Sequence, residues 1–210
     1  MSETIRPNLG ERLNAALYDP FLWLGERLGM RAHRRELLAG ARGRVLEIGA
    51  GTGLNLRHYP DAVDELVLAE PDAGMAARID TSSARVRASV VTAPAEDLPF
   101  EDASFDAIVS ALVLCTVEDP ERALAEIRRV LRPDGRLLFL EHVRAESPRL
   151  AAWQDRLAAP WAVWASGCRC DRPTLDRISE RFDVASVDRA TWRGMPAIVH
   201  PLVIGEAAAA

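Results

Sequence analysis

The stretch "RVLEIGAGTGLNL", residues 44–56, decides the reading of this chain. Val45, Leu46 and Ile48 form a short apolar run, too short for a helix and bounded by a turn signal, which predicts a buried strand. Glycines follow at 49, 51 and 53. Glycine tolerates positive φ and carries no Cβ, so such a loop lets a ligand or a second backbone come close. Working outward, further strands are predicted at 65–70, 86–91, 105–110 and 136–141. Helices are expected near 53–58, 72–78 and 119–131. That β-α-β-α rhythm predicts an α/β fold with a mostly parallel sheet covered on both faces. Asp119 as N-cap, Pro120 at the first helical position and "RPDG" at 132–135 bound the clearest helix.

On either side the pattern changes. Residues 8–40 read as a helical cap interrupted at Pro20, with Asp19 as N-cap and Leu9, Leu13, Ala16 and Leu17 on one stripe. The stripe reads as packing on the domain, with a segment lying on a membrane or over an active site as the alternative. After Glu141, "SPRLAAWQDRLAAPWAVWAS" reads as helix broken at Pro160, followed by a short helix at 174–181. Two final strands, 182–189 and 197–204, are expected to pair as an antiparallel hairpin. The expected division is a cap over 1–40 and one domain over 41–206, with a helical insert at about 148–181.

The bulk numbers set limits. The chain has 210 residues, 49% of them hydrophobic, enough for one self-sufficient core. A net charge of −5 argues against a general nucleic-acid surface. The three cysteines, Cys115, Cys168 and Cys170, show no paired metal-ligand spacing, so no metal site and reduced thiols are expected. "MSETIRPNLGERLN" lacks the basic and apolar regions of a secretory signal. No apolar run reaches the ~20 residues that span a bilayer. These features predict a cytoplasmic protein acting on a small molecule.

Two ligands suit a glycine loop after a first strand. A dinucleotide site wants G-x-G-x-x-G, and Leu54 stands near where the third glycine would admit the helix. Glu47-x-Gly49-x-Gly51-x-Gly53 instead suits S-adenosylmethionine (SAM), which has no pyrophosphate and whose methionine ammonium favours a nearby acid. Glu70, twenty-one residues past Gly49, ends the second strand and can accept from two ribose hydroxyls. Both cofactors use such an acid.

Two more pieces carry a resemblance. "APAEDLPF", 93–100, is similar to the adenine loop of class I methyltransferases, with Pro94 where an acid is frequent. "SFDAIVSALVLCTVEDPERALAEIRRVLRPDGRLLFLEHV", 104–143, resembles their fourth and fifth strands and the helix between. The resemblance implies a Rossmann-like, seven-stranded, mostly parallel sheet with an antiparallel C-terminal hairpin strand. It implies a SAM site of Glu47, Gly49, Ala50, Gly51, Gly53, Asn55, Glu70, Pro71, Ala95, Glu96, Ser110, Ala111 and Leu112, with S-adenosylhomocysteine as product. "YDPF" at 18–21, "GTGLNLRHYP" at 51–60, "LVLCTV" at 112–117, "LEHV" at 140–143 and "SGCRCDRPT" at 166–174 narrow it further. Together they resemble the methyltransferase-like-seven group of membrane-associated thiol S-methyltransferases and its bacterial relatives. Glu70 departs from a common aspartate, Cys170 from an apolar residue, and no apolar anchor precedes Tyr18.

For the chemistry, His142 at the fifth strand's end is the candidate base or orienting group, or else it caps the strand. Tyr18 and Asp19 of the cap could seal the site, or simply pack and cap. Cys115 and Cys168 could line the acceptor pocket, or be buried small hydrophobes. The expected reaction is methyl transfer from SAM to a small, apolar thiol. Transfer to oxygen, nitrogen or carbon of a lipid, quinone or secondary metabolite is the alternative, and a nucleotide-binding oxidoreductase is a third reading.

Overall fold

A computed structural model describes residues 7–209. The first six residues of the expected cap lie outside the described residues. The sheet has seven strands in the order β3-β2-β1-β4-β5-β7-β6. β1 (Gly43–Ile48), β2 (Val63–Ala69), β3 (Ala88–Val91), β4 (Phe105–Ala111) and β5 (Leu131–His142) run parallel. β7 (Pro201–Ala209) lies antiparallel between β5 and β6 (Phe182–Thr191). The strand order reverses between β1 and β4, so a crevice opens beyond their carboxyl ends.

Alternation along the strands sends side chains to two cores. Leu46 and Ile48 of β1 join Ile108, Phe139 and the Leu124–Ile127 stripe of α4 (Pro120–Val130). Val45 faces the other way, with Leu66, Val109, Leu138 and Leu38. Glu47 shares the side of Val45, which points it beneath the N-terminal helices. α4 forms as its sequence predicts: the Asp119 carboxylate accepts from the Glu121 and Arg122 amides at 3.0 and 3.1 Å.

Several expectations change. Pro20 does not stop the first helix; α1 runs from Leu9 to Gly25 through it. A proline costs one backbone hydrogen bond, and the helix continues on either side. Asp19 is therefore not an N-cap, and its carboxylate accepts from Thr52 Oγ1 at 2.6 Å instead. The break falls at Gly29 (φ +147°), inside a π turn at Glu26–Met30 that joins α1 to α2 (Arg31–Leu38). The leucine stripe of α1 is not packed on the domain either: Leu9 is 81% exposed, Leu13 and Leu17 61%, while Ala15 and Leu22 are buried. Pro160 likewise sits inside an unbroken α5 (Pro148–Trp164).

Residues 53–58 form no α-helix, only turns and a 3-10 turn at Leu56–His58. Gly51 (φ +58°) and Gly53 (φ +83°) are left-handed, a conformation that favours glycine. The helix expected at 72–78 is a short α3 (Ala73–Ala76), and α6 covers Thr174–Ser179. The last strand starts at Pro201, because Ala197–Val199 is a 3-10 turn. "RPDG" turns within β5 as a bulge, shifting the register between Phe105 and Ala107.

Candidate active site

Two cavities meet over the carboxyl ends of β1 and β4. The larger, about 690 Å³, is a groove lined in part by Gly49, Gly51, Glu70, Pro71, Ala95 and Glu96. The second, about 510 Å³, is a chamber walled by Leu22, Phe21, Trp161 and Trp192, with Cys115, His142 and Cys168 on its wall. Tyr18, Leu112, Thr116 and Ser166 border both. The exposed Leu13 and Leu17 belong to the chamber mouth, which explains why α1 leaves them uncovered.

The groove is built by the glycine loop and by Glu70. Gly49 must be glycine: its φ is +55° and a Cβ would lie 2.7 Å from Val113 Cγ2. Glu70 Oε2 accepts from the Gly51 amide at 2.7 Å and Oε1 from the Asp72 amide at 2.9 Å. Burial raises its pKa against those two hydrogen bonds. A carboxylate has further lone pairs to offer across the groove.

Six of the residues expected at the cofactor do not line the groove and lie behind it, in or beneath the glycine loop and in β4. Glu47 is buried, with its oxygens held by Asn55 Nδ2 at 2.8 Å and the Tyr59 hydroxyl at 2.6 Å. Asn55 Oδ1 in turn accepts from Arg34, whose Nε reaches Glu26 at 3.0 Å. Ala50 and Gly53 shape the backbone, and Ser110 donates to Glu141 at 2.6 Å. Ala111 carries β4 into Leu112, which has a φ of +64° and lines both cavities. Glu96 is on the groove wall, but its Oε1 accepts from the Glu118 amide at 2.8 Å.

Glu47 has a measurable consequence. Desolvation lifts its pKa from 4.5 to about 7, against the hydrogen bonds of Tyr59 and Asn55. The folded pKa lies above the unfolded one, so folding takes up a proton and stability falls as pH rises from 4.5 to 7. The fall amounts to about 3 kcal/mol. Glu47→Gln cannot titrate, so the stability difference between wild type and variant should change across that interval and be flat outside it. Denaturation curves that stay parallel at every pH would refute the assignment.

Three residues converge in the chamber wall. His142 Nδ1 lies 3.4 Å from Cys115 Sγ and 3.4 Å from Cys168 Sγ, and all three residues are buried. The imidazole stacks on Trp192 with ring centres 5.4 Å apart. The Cys168 thiol is lowered to about 5, chiefly by a hydrogen bond from Cys115 and then by His142. The Cys115 thiol is pushed up by the same contact and by burial. Sequence spacing alone hid this cluster, since its members are 26 or more residues apart.

The supports of the cluster were also missed. Glu141 Oε1 accepts from Ser110 Oγ, from the Val113 amide at 3.0 Å and from the Leu114 amide at 3.3 Å. Arg172 Nη1 donates to the Leu114 and Val117 carbonyls, both at 2.8 Å. Buried Gln154 ties Val143, Cys170 and Ile198 through their carbonyls. A carboxylate inside an apolar strand, as in "LFLEH", was the one sequence signal that could have flagged Glu141.

The comparisons with known proteins agree with this architecture. Residues 46–139 match the model of a methyltransferase domain. The chain is 37% identical over 195 residues to the human thiol S-methyltransferase TMT1B, covering 85% of this chain and 79% of that protein. It belongs to the class I SAM-dependent methyltransferases. A demethylmenaquinone methyltransferase of Thermobifida fusca is 27% identical over 168 residues, covering 72% of this chain and 71% of its own. A SAM-dependent methyltransferase of Thermotoga maritima superposes with a TM-score of 0.68 at 23% identity, over 94% and 96% of the two chains. That last likeness bears on fold alone. SAM is thus the cofactor of this methyltransferase, and a small molecule is its acceptor. Among the described residues no helix is long and apolar enough to cross a membrane.

Proposed function

We propose that this methyltransferase moves the methyl group of SAM to the sulfur of a small, apolar thiol bound in the 510 Å³ chamber. One observation carries the reading: no Asp, Glu, Lys or Arg borders the chamber among the described residues, and its polar lining includes two thiols, an imidazole, indoles and hydroxyls. An ammonium acceptor would be left there without a counter-charge, and a phenol without a strong base. A thiol of pKa about 8.5 is partly ionised at neutral pH and makes no such demand. The 37% identity to a thiol S-methyltransferase supports the same choice.

In this reading the ribose faces Glu70, the methionine end lies along Gly49 and Gly51, and the adenine lies by Ala95, Glu96 and Asp97. Leu112, which lines both cavities, would border the methyl group where the groove meets the chamber. The reaction is one in-line displacement, in which thiolate sulfur attacks the methyl carbon and S-adenosylhomocysteine departs with the bonding pair. The sulfonium is already a good leaving group, so proximity and exclusion of water supply most of the acceleration. His142 orients the acceptor sulfur, Tyr18 separates the two cavities, and Asp19 holds the cap to the glycine loop through Thr52.

A labelled-methyl assay over a panel of thiols, phenols, amines and quinols tests this. Label is expected in apolar thiols and not in the others. Turnover of a quinol with no turnover of any thiol would replace this reading with the quinone alternative, which the 27% identical relative represents.

A further inference from the structure

Cys115, His142 and Cys168 reach one point from three separate segments: the loop after β4, the end of β5 and the loop after α5. Their ligand atoms all lie within 4.8 Å of one another. The two sulfur–nitrogen spacings are those of a coordination sphere. Tetrahedral zinc, with Zn–S of about 2.3 Å and Zn–N of about 2.0 Å, sets a sulfur and a nitrogen about 3.5 Å apart. Here both sulfur–nitrogen separations are 3.4 Å.

The frame around the three residues is fixed before any ion arrives. The Arg169 amide donates to the Cys115 carbonyl at 2.7 Å, lacing the two cysteine loops together. Arg172 clamps the Cys115 loop from below, and the stack on Trp192 sets the plane of the His142 ring. Among the described residues Nε2 of His142 is buried without a hydrogen-bond partner, and Nδ1 is the ring atom turned between the sulfurs. The remaining side of the cluster opens on the chamber. Three protein ligands and one open position is the arrangement of catalytic zinc, whereas structural sites are closed by a fourth ligand.

The geometry points to a zinc(II) site formed by Cys115, His142 and Cys168, whose open position takes the acceptor sulfur. The second half of this inference rests on the thiol reading given above; the first half does not. The acceptor thiol binds as thiolate and its proton leaves to solvent. Its sulfur lone pair forms the new bond to the methyl carbon, the methyl–sulfonium bond breaks, and that pair stays on the sulfur of S-adenosylhomocysteine. The product thioether is neutral, a weaker ligand than the thiolate, and dissociates.

The test is metal binding to the full chain under reducing conditions, with zinc and with cobalt(II) as a spectroscopic probe. Wild type should take up about one equivalent, and cobalt should show thiolate charge-transfer and tetrahedral d–d absorption. Cys115→Ala, Cys168→Ala and His142→Ala should each lose the stoichiometric, thiolate-marked binding. Cys170→Ala should keep it, since its sulfur stands outside the cluster. Retained S-adenosylhomocysteine binding verifies that each variant folds. Wild type that binds no cobalt, or cobalt absorption that survives Cys168→Ala, would overturn the site. Thiophenol should shift the cobalt spectrum while phenol leaves it unchanged; no shift would overturn the role of the open position. Thiol methylation by a protein that binds no metal would remove zinc and leave the thiol reading standing. A bound metal with no thiol turned over would do the reverse.

Discussion

Glu70→Ala should weaken S-adenosylhomocysteine binding by about 100-fold, which is about 2.7 kcal/mol. The carboxylate anchors the glycine loop through the Gly51 amide at 2.7 Å and the turn after β2 through the Asp72 amide at 2.9 Å. Its removal strands both donors and takes away the acceptor proposed for the ribose, and hydrogen bonds to a charged group are worth about 1.5–3 kcal/mol each. Glu70→Asp, one methylene shorter, should recover most of the affinity. Burial raises the pKa of Glu70, so affinity should fall on acidification at a pH above the usual carboxylate range. Calorimetry against pH reads both effects. Wild-type affinity in the alanine variant would remove Glu70 from the site.

Glu141→Ala should cost about 3 kcal/mol or more of stability, a loss of roughly 10 °C in Tm. Three buried donors, from Ser110, Val113 and Leu114, share Oε1, and alanine satisfies none of them. The same bonds shape the turn that carries Leu112 and Cys115, so methyl transfer should fall with stability. Glu141→Gln makes a sharper comparison. Its carbonyl can keep all three donors on one oxygen, and its amide replaces Oε2, which has no hydrogen-bond partner among the described residues. The glutamine variant should stay within about 1 kcal/mol of wild type. Equal damage from both substitutions would show that charge, and not the three donors, holds the turn.

The parts of the protein legible in the sequence are those governed by local rules. β1, β4 and α4 follow from apolar runs, an N-cap and a proline at the first helical position. Gly49, Gly51 and Glu70 could be placed because a close-approach loop and an acid at a strand end stand at fixed spacing. The misreadings came where tertiary contacts outweighed a local signal. Pro20 and Pro160 look like helix ends, yet both helices continue through them. Asp19 looks like an N-cap, yet Thr52 takes its carboxylate. Glu47 was expected beside the cofactor, whereas strand alternation turns it under the loop toward Asn55 and Tyr59. The Cys115–His142–Cys168 cluster obeys no local pattern, because three distant segments meet only in the folded sheet.

Competition between one matched pair of acceptors tests the central claim most directly. Thiophenol and phenol differ in the acceptor atom and little in shape. Both are offered in equal amounts with trideuteromethyl SAM, and the products are read by mass spectrometry. The label should appear in methyl phenyl sulfide, at least about 100-fold over anisole, a preference of about 2.7 kcal/mol. Anisole as the main product, or label in neither while a quinol is methylated, would contradict it.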